Sequence, residues 1–401
     1  MSLAPQRVVV VGGGLAGSRT VEALRAAGYR GRLTLVGAEP HLPYDRPPLT
    51  KAVLSGGVSD TTLPVPYADL DVELLLRRGA TGLGDGVLET DGGRLDFDRL
   101  VVATGSAPLR LPGRGRTLRT LEDALALRTE LRPGARIVVI GAGWIGAEVA
   151  TAAAAAGCRV SVVEAAGAPL ATALGEEVGA ATAAWYGEAG VELILGAAVV
   201  AVEPAAVVLA DGRSLPADCV LVGIGVRPDV GWLAGSGIAI DRGVAVDEHL
   251  RSSLPAVYAV GDAAAWQSRH FGRRLSVEHW DNALRAPSVA AANLLGGAEV
   301  YDPVPYFWSE QFGRMLQYAG HPGGADSFLW RGDPAGRDWT GCWLRDGVLE
   351  AVATVDRPRD LLQGRHAIAT RIPVDLTRLV DPAVPIRDAV FRLSTRRPAQ
   401  R

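Results

Sequence analysis

"RVVVVGGGLAGSRTVEALRAAG", residues 7–28, and "RIVVIGAGWIGAEVATAAAAAG", residues 136–157, align without a gap. Each opens on a Val/Ile run too continuous for a strand with one wet face, and so predicts a buried parallel strand. A glycine-rich turn and a helix of small residues follow. A second strand-like run closes each unit, "RLTLVG" at 32–37 and "RVSVVE" at 159–164. Two βαβ units follow from this, and with them an α/β chain holding two Rossmann-type dinucleotide-binding domains.

Both turns read G-x-G-x-x-G, at Gly12, Gly14, Gly17 and at Gly141, Gly143, Gly146. The first glycine makes the tight turn, the second admits a pyrophosphate to bare backbone, and the third lets helix and strand pack closely. Ala16 and Ile145, each just before the third glycine, count with the nucleotide-contacting residues of their turns. One such motif is weak evidence, but two in the same strand–turn–helix setting are specific. Glu164 ends the strand after the second motif, where an acid binds adenosine ribose hydroxyls and repels a 2′-phosphate. Ala165 and Ala166 follow it with no arginine nearby, so NADH is expected over NADPH. In the first unit Gly37 holds the corresponding place, and the nearest acid is Glu39.

The chain's 401 residues allow two or three domains, and 48% hydrophobic with 21% charged residues is a globular balance. A formal charge of -3 gives no general attraction to nucleic acid or an anionic membrane. There is no basic leader with an apolar signal segment, and apolar runs break before bilayer length, so a soluble cytoplasmic protein is expected. Cys158, Cys219 and Cys342 are far apart, which removes a local redox disulfide or metal knuckle and leaves small buried hydrophobes.

Lys51 closes "PYDRPPLTK", residues 43–51, and is the only lysine of 41 Lys+Arg. Lysine offers a compact point charge on a thin stem where arginine offers a broad planar fork. A narrow site beside a ligand needs that difference, while a solvated loop lysine left by compositional drift does not. Pro43, Pro47 and Pro48 restrict the loop, so its cations are presented with little conformational freedom.

Two dinucleotides in one chain imply electron transfer between them, from a nicotinamide to a flavin. Several runs then occur in order over nearly the whole chain: "VVVVGGGLAG", "PYDRPPLTK", "LVVATGSAPLRLPG", "GAGWIGAE", "VGIGVRPD", "VYAVGDAA", "EHWDNA" and "PYFWSEQFG". Together they resemble the FAD-dependent NADH:ferredoxin reductases that serve Rieske-type dioxygenases and haem-thiolate monooxygenases. Rubredoxin reductase and apoptosis-inducing factor are relatives. The resemblance implies a glutathione-reductase-like fold, with FAD and NADH as cofactors.

The resemblance also implies roles for particular residues. Arg46 and Lys51 hold FAD, with Lys51 near the reactive edge of the flavin and paired with Glu148. Asp262 reaches the ribityl and pyrophosphate; Thr104 and Gly105 pass close to FAD. Gly223, Gly225 and Arg227 mark the return from the NAD domain. Trp280 lies beside the nicotinamide pocket, and Trp308 beside the flavin borders the electron exit. Each has a structural alternative: a surface ion pair for Arg46, complementing the dipole in the first turn of its helix for Glu148, an N-cap at a helix start for Asp262, and core packing for the two tryptophans.

The expected acceptor is an acidic iron–sulfur ferredoxin of the [2Fe-2S] type, itself serving an oxygenase, with Arg46, Arg285 and Arg314 as candidate docking cations. "PPLTKAVLSGG" lacks the cysteine pair of disulfide reductases, so a disulfide substrate is not expected. Rubredoxin reductase or NADH oxidase activity is the enzymatic alternative, and a flavin-bearing NADH sensor the non-enzymatic one. The domain division expected is 1–112 with 237–304 for FAD, 113–236 for NAD, and an α+β domain from 305 to 401. The Pro/Gly-rich "LRLPGRGRT" serves as the crossing linker.

Overall fold

A computed structural model describes residues 5–113 and 115–391. Arg114, inside the expected crossing linker, lies outside the described residues. The chain forms two compact units, residues 1–302 and 303–401.

The first unit holds two parallel sheets of the same plan. In one, the strand order is Val257–Ala259, Arg99–Val102, Arg7–Val11, Arg32–Val36, Val72–Leu75. In the other it is Cys219–Val222, Arg136–Ile140, Arg159–Val163, Glu192–Ile194. The Val/Ile runs are buried in both, as strands covered on both faces must be. Helix α1, Leu15–Ala26, and its counterpart α3, Trp144–Ala155, each make the first crossover; helix α2, Leu121–Glu130, lies between the two sheets in sequence. A three-stranded antiparallel sheet precedes the Arg99 strand, residues 80–96, and another precedes the Cys219 strand, residues 199–216. The duplication therefore extends well past the glycine motifs.

The copies differ at the second crossover. Helix α4, Ala171–Glu188, makes it in the second sheet. In the first, the equivalent segment is the loop carrying "PYDRPPLTK", with one 3₁₀ turn at Pro47–Thr50. Its prolines remove backbone donors and disfavour helix at the residue before each ring, so this crossover remains an irregular loop.

The two connections between the sheets run side by side. Ser106–Pro108 pairs antiparallel with Val226–Pro228, and Leu109 N–H extends the ladder to Gly225 O at 2.9 Å. Helix α5, Trp280–Leu294, packs on α1. In the second unit, five antiparallel strands between Tyr306 and Val355 form one sheet. Helix α6, Pro358–Thr370, lies on it, and Arg331 is buried on Asp360 at 2.8 Å. Among the described residues no helix is long and apolar enough to cross a membrane.

Candidate functional site

The glycines of the two turns divide into two kinds. Gly12 and Gly141 have φ of +125° and +100°. A Cβ there would stand 2.1 Å from Ala103 O and 2.4 Å from Gly223 O respectively. Gly17 and Gly146 are as tightly bound, at 1.9 Å from Gly12 O and 2.0 Å from Gly141 O. The middle glycines are different: a Cβ on Gly14 meets nothing within 4 Å, and one on Gly143 nothing nearer than 4.0 Å. Packing inside the protein does not demand them, so their bare backbone faces open space. Gly14 and Gly143 are also the N-caps of α1 and α3 and carry no side-chain cap. First-turn N–H groups without such a cap are what an anion uses at a helix start. Each turn thus fits a dinucleotide pyrophosphate.

Glu164 lies over the second turn. Its carboxylate accepts from Ala142 N at 2.7 Å and Ala166 N at 2.9 Å, which anchors an acid at the end of its strand.

The loop of the first sheet meets the helix of the second at Lys51. The Lys51 ammonium donates to Glu148 Oε2 at 2.8 Å, and the Thr50 hydroxyl donates to the same oxygen. Glu148 is 6% exposed and the Lys51 side chain 21%, so this lysine is no solvated loop residue. Glu148 also stands beyond the first turn of α3, which holds no acid. The expectation of a first-turn, dipole-complementing place is corrected: the charge answers Lys51. Thr50 has no sequence signal of its own.

Arg46 is not a surface pair. It donates to Glu39 Oε1 at 2.7 Å, to the Tyr44 hydroxyl at 2.9 Å and to Arg119 O at 2.7 Å. Tyr44 donates in turn to Glu39 Oε2 at 2.5 Å and accepts from Leu121 N at 3.0 Å. Burial, the largest influence, pushes the Tyr44 phenol up, so it stays a donor at neutral pH. Glu39 and Arg46, two of the candidate FAD residues, are therefore held in one network.

Asp262 follows a strand, but the helix expected after it is absent. Gly261–Ala263 is a single 3₁₀ turn and Ala264–Ser268 is a strand, paired with Val244–Val246 and Arg273–Leu275. Alanine favours helix, yet pairing on both edges overrides propensity here. Asp262 accepts from Ser106 at 2.8 Å and from Arg119 at 3.2 Å. A Cβ on Gly261 would be 3.0 Å from that of Ala16, and one on Gly105 3.3 Å from the Arg119 guanidinium. Ala16, Gly105 and Asp262 thus come together, along with Arg119, which sequence reading missed. Its only signal is the capping box Thr120–Asp123 that starts the next helix. The Thr104 hydroxyl donates to Asp229 O at 2.7 Å, tying the outgoing connection to the returning one; Arg227 lies in the returning strand itself.

Trp280 opens α5, and its indole donates to Asp45 at 2.8 Å. Burial is the main influence raising the Asp45 carboxyl, opposed by this bond and by Lys51. Glu278, two residues earlier, is likewise raised by burial first and then by Asp262. Trp308 belongs to the second unit, where it stacks with Tyr306 at 6.0 Å. Of the candidate docking cations, Arg285 pairs with Asp281 at 2.8 Å, Arg314 donates to Phe312 O, and Arg46 is committed to its network.

The chain matches two family models, pyridine nucleotide-disulphide oxidoreductase over residues 6–286 and reductase C-terminal over 306–390. It is 38% identical over 399 residues to the ferredoxin reductase component of a chlorobenzene dioxygenase from a Cupriavidus species, covering 96% of this chain and 97% of that one. The crystal structure of Fdr9 is 49% identical and superposes with a TM-score of 0.92, covering 95% of this chain and 99% of that one. A chain of the covalent putidaredoxin reductase–putidaredoxin complex is 35% identical with a TM-score of 0.93, covering 96% and 98%.

Proposed function

We infer the function from one premise: this chain belongs to the pyridine nucleotide-disulphide oxidoreductases, and it carries their reductase C-terminal domain. It is an FAD-dependent NADH:ferredoxin reductase that passes electrons from NADH through flavin to an iron–sulfur ferredoxin serving an oxygenase. The observation that carries this reading is the ion pair of Lys51 and Glu148, where the loop of one dinucleotide unit meets the phosphate-binding helix of the other. The family name includes disulfide reduction, but the three cysteines are all free, and Cys219 and Cys342 are buried. That favours a protein acceptor over a disulfide. The same cysteines, unpaired, favour a cytoplasmic location.

FAD and NADH, when bound, supply a two-electron exchange whose flavin partner can release electrons singly. The chain's own residues supply place and charge. Gly14 and Gly143 would admit the two pyrophosphates, Asp262 with Arg119 would hold the FAD chain, and Glu164 would select a ribose without a 2′-phosphate. Lys51 keeps a compact cation at the junction, oriented by Glu148. Neither needs to move a proton, because hydride transfer between stacked rings depends on distance and charge stabilisation. We assign 1–112 and 237–304 to FAD, 113–236 to NAD and 305–401 to the C-terminal domain, a division that the two sheets support.

Purified holoprotein, mixed anaerobically with NADH and a [2Fe-2S] ferredoxin, should bleach its flavin and then reduce the ferredoxin catalytically. Fast turnover with oxygen that ferredoxin does not accelerate would instead make it an NADH oxidase.

A further inference from the structure

We infer that Thr50 is a positioning residue for hydride transfer, holding the Glu148 carboxylate that orients Lys51. This rests on the reading of Lys51 and Glu148 as the junction of the two cofactors. The 3₁₀ turn Pro47–Thr50 delivers two consecutive side chains, Thr50 and Lys51, to one oxygen of a carboxylate on another element. Thr50 is 9% exposed and Glu148 6%. The hydroxyl has one proton and two acceptors in reach, Glu148 Oε2 and Pro47 O at 3.3 Å. The carboxylate is the stronger acceptor, so the proton goes there.

The consequence is a division of labour. An ion pair to a long, flexible lysine stem fixes a carboxylate only loosely. With the Thr50 hydroxyl as well, the carboxylate is tethered to the loop backbone through a short side chain. Among the described residues the ammonium donates to Glu148 alone, so two of its three N–H groups are left for charge that develops beside it. Thr50 leaves that freedom intact while fixing the anion that the cation leans on.

Valine has the shape of threonine without the donor. Thr50→Val should retain FAD and melt close to wild type, while single-turnover flavin reduction at saturating NADH slows by roughly tenfold, the scale of one hydrogen bond to a charged group. The NADH concentration giving half-maximal rate should change little, and Thr50→Ser should restore the rate. In a double-mutant cycle, Thr50→Val should add almost nothing to Glu148→Gln. Wild-type reduction in Thr50→Val, or full additivity in the cycle, overturns the proposal. If Thr50→Val does not accumulate, Thr50→Ser against Thr50→Ala makes the same comparison. Should Lys51→Ala and Glu148→Gln both reduce at wild-type speed, it is the junction reading that has failed.

Discussion

At the scale of single residues, the proposed role of the one lysine in the chain is one that arginine should not be able to take over. Its ammonium reaches a nearly buried carboxylate through a loop held by three prolines, and a guanidinium there would occupy more of the junction. Lys51→Arg should therefore fare almost as badly as Lys51→Ala, with flavin reduction by NADH slowed about 10²-fold, the loss typical of one preorganised electrostatic group. Single-turnover rates in both variants, read after FAD content is matched, decide this; full speed in Lys51→Arg refutes it. Glu164 makes a second claim at this scale. Replacing it by alanine, with Ala165→Arg, should narrow or invert the preference for NADH over NADPH, and unchanged preference would place selection elsewhere. Lys51 and Glu164 were legible in the sequence by rarity and by motif spacing, and Glu148 by the family resemblance. Thr50 and Arg119 were not, since only folding brings them to residues 98 and 143 positions away.

Among elements, the two glycine turns predict opposite outcomes for similar substitutions. Gly12→Ala forces a methyl group against Ala103 O at a positive φ, so it should lower the melting temperature and lose FAD together. Gly14→Ala meets only open space, and should melt as the apo-protein does in wild type while binding FAD far more weakly. Calorimetry of the apo-proteins separates the two; equal destabilisation would mean that Gly14 serves packing after all. In each sheet an aspartate just before one strand also grips the neighbouring strand, Asp98 accepting from Arg7 N and Asp218 from Arg136 N. Asp218 accepts from Arg136 N and its guanidinium, and this pairing, the side-chain bond first, holds its carboxyl down at about 2 from 3.8. A depressed carboxyl contributes stability above its unfolded value and loses it as pH falls through the folded one. The melting-temperature deficit of Asp218→Asn should thus be full above pH 3.8 and close towards pH 2. A deficit that persisted there would show that charge is not its source. The strand after Asp262 is the element that the sequence misrepresented. Its alanines suit a helix, and only the two partner strands, 18 or more residues before and 5 after, decide otherwise.

For the molecule as a whole, the duplicated plan was visible in the repeat, since buried parallel strands and glycine turns each leave a pattern in a short window. The extent of the duplication was harder to see, because the antiparallel strands at 80–96 and 199–216 share a topology but, in sequence, little more than a short D-G-x-x-L-x-x-D at 91–98 and 211–218. The interleaving of the two sheets has a consequence for how the protein is made. Every strand of the second sheet lies between Arg136 and Val222, whereas the first still lacks Val257–Ala259 when the last of these has been synthesised. Domains usually mature in the order in which they leave the ribosome. Here the later one can close first, and the earlier one waits with an open edge beside Arg99–Val102. Asp262 arrives later still, so a nascent chain released at residue 250 should hold NADH on its finished half and no FAD, making flavin uptake a later step than closure of the second sheet.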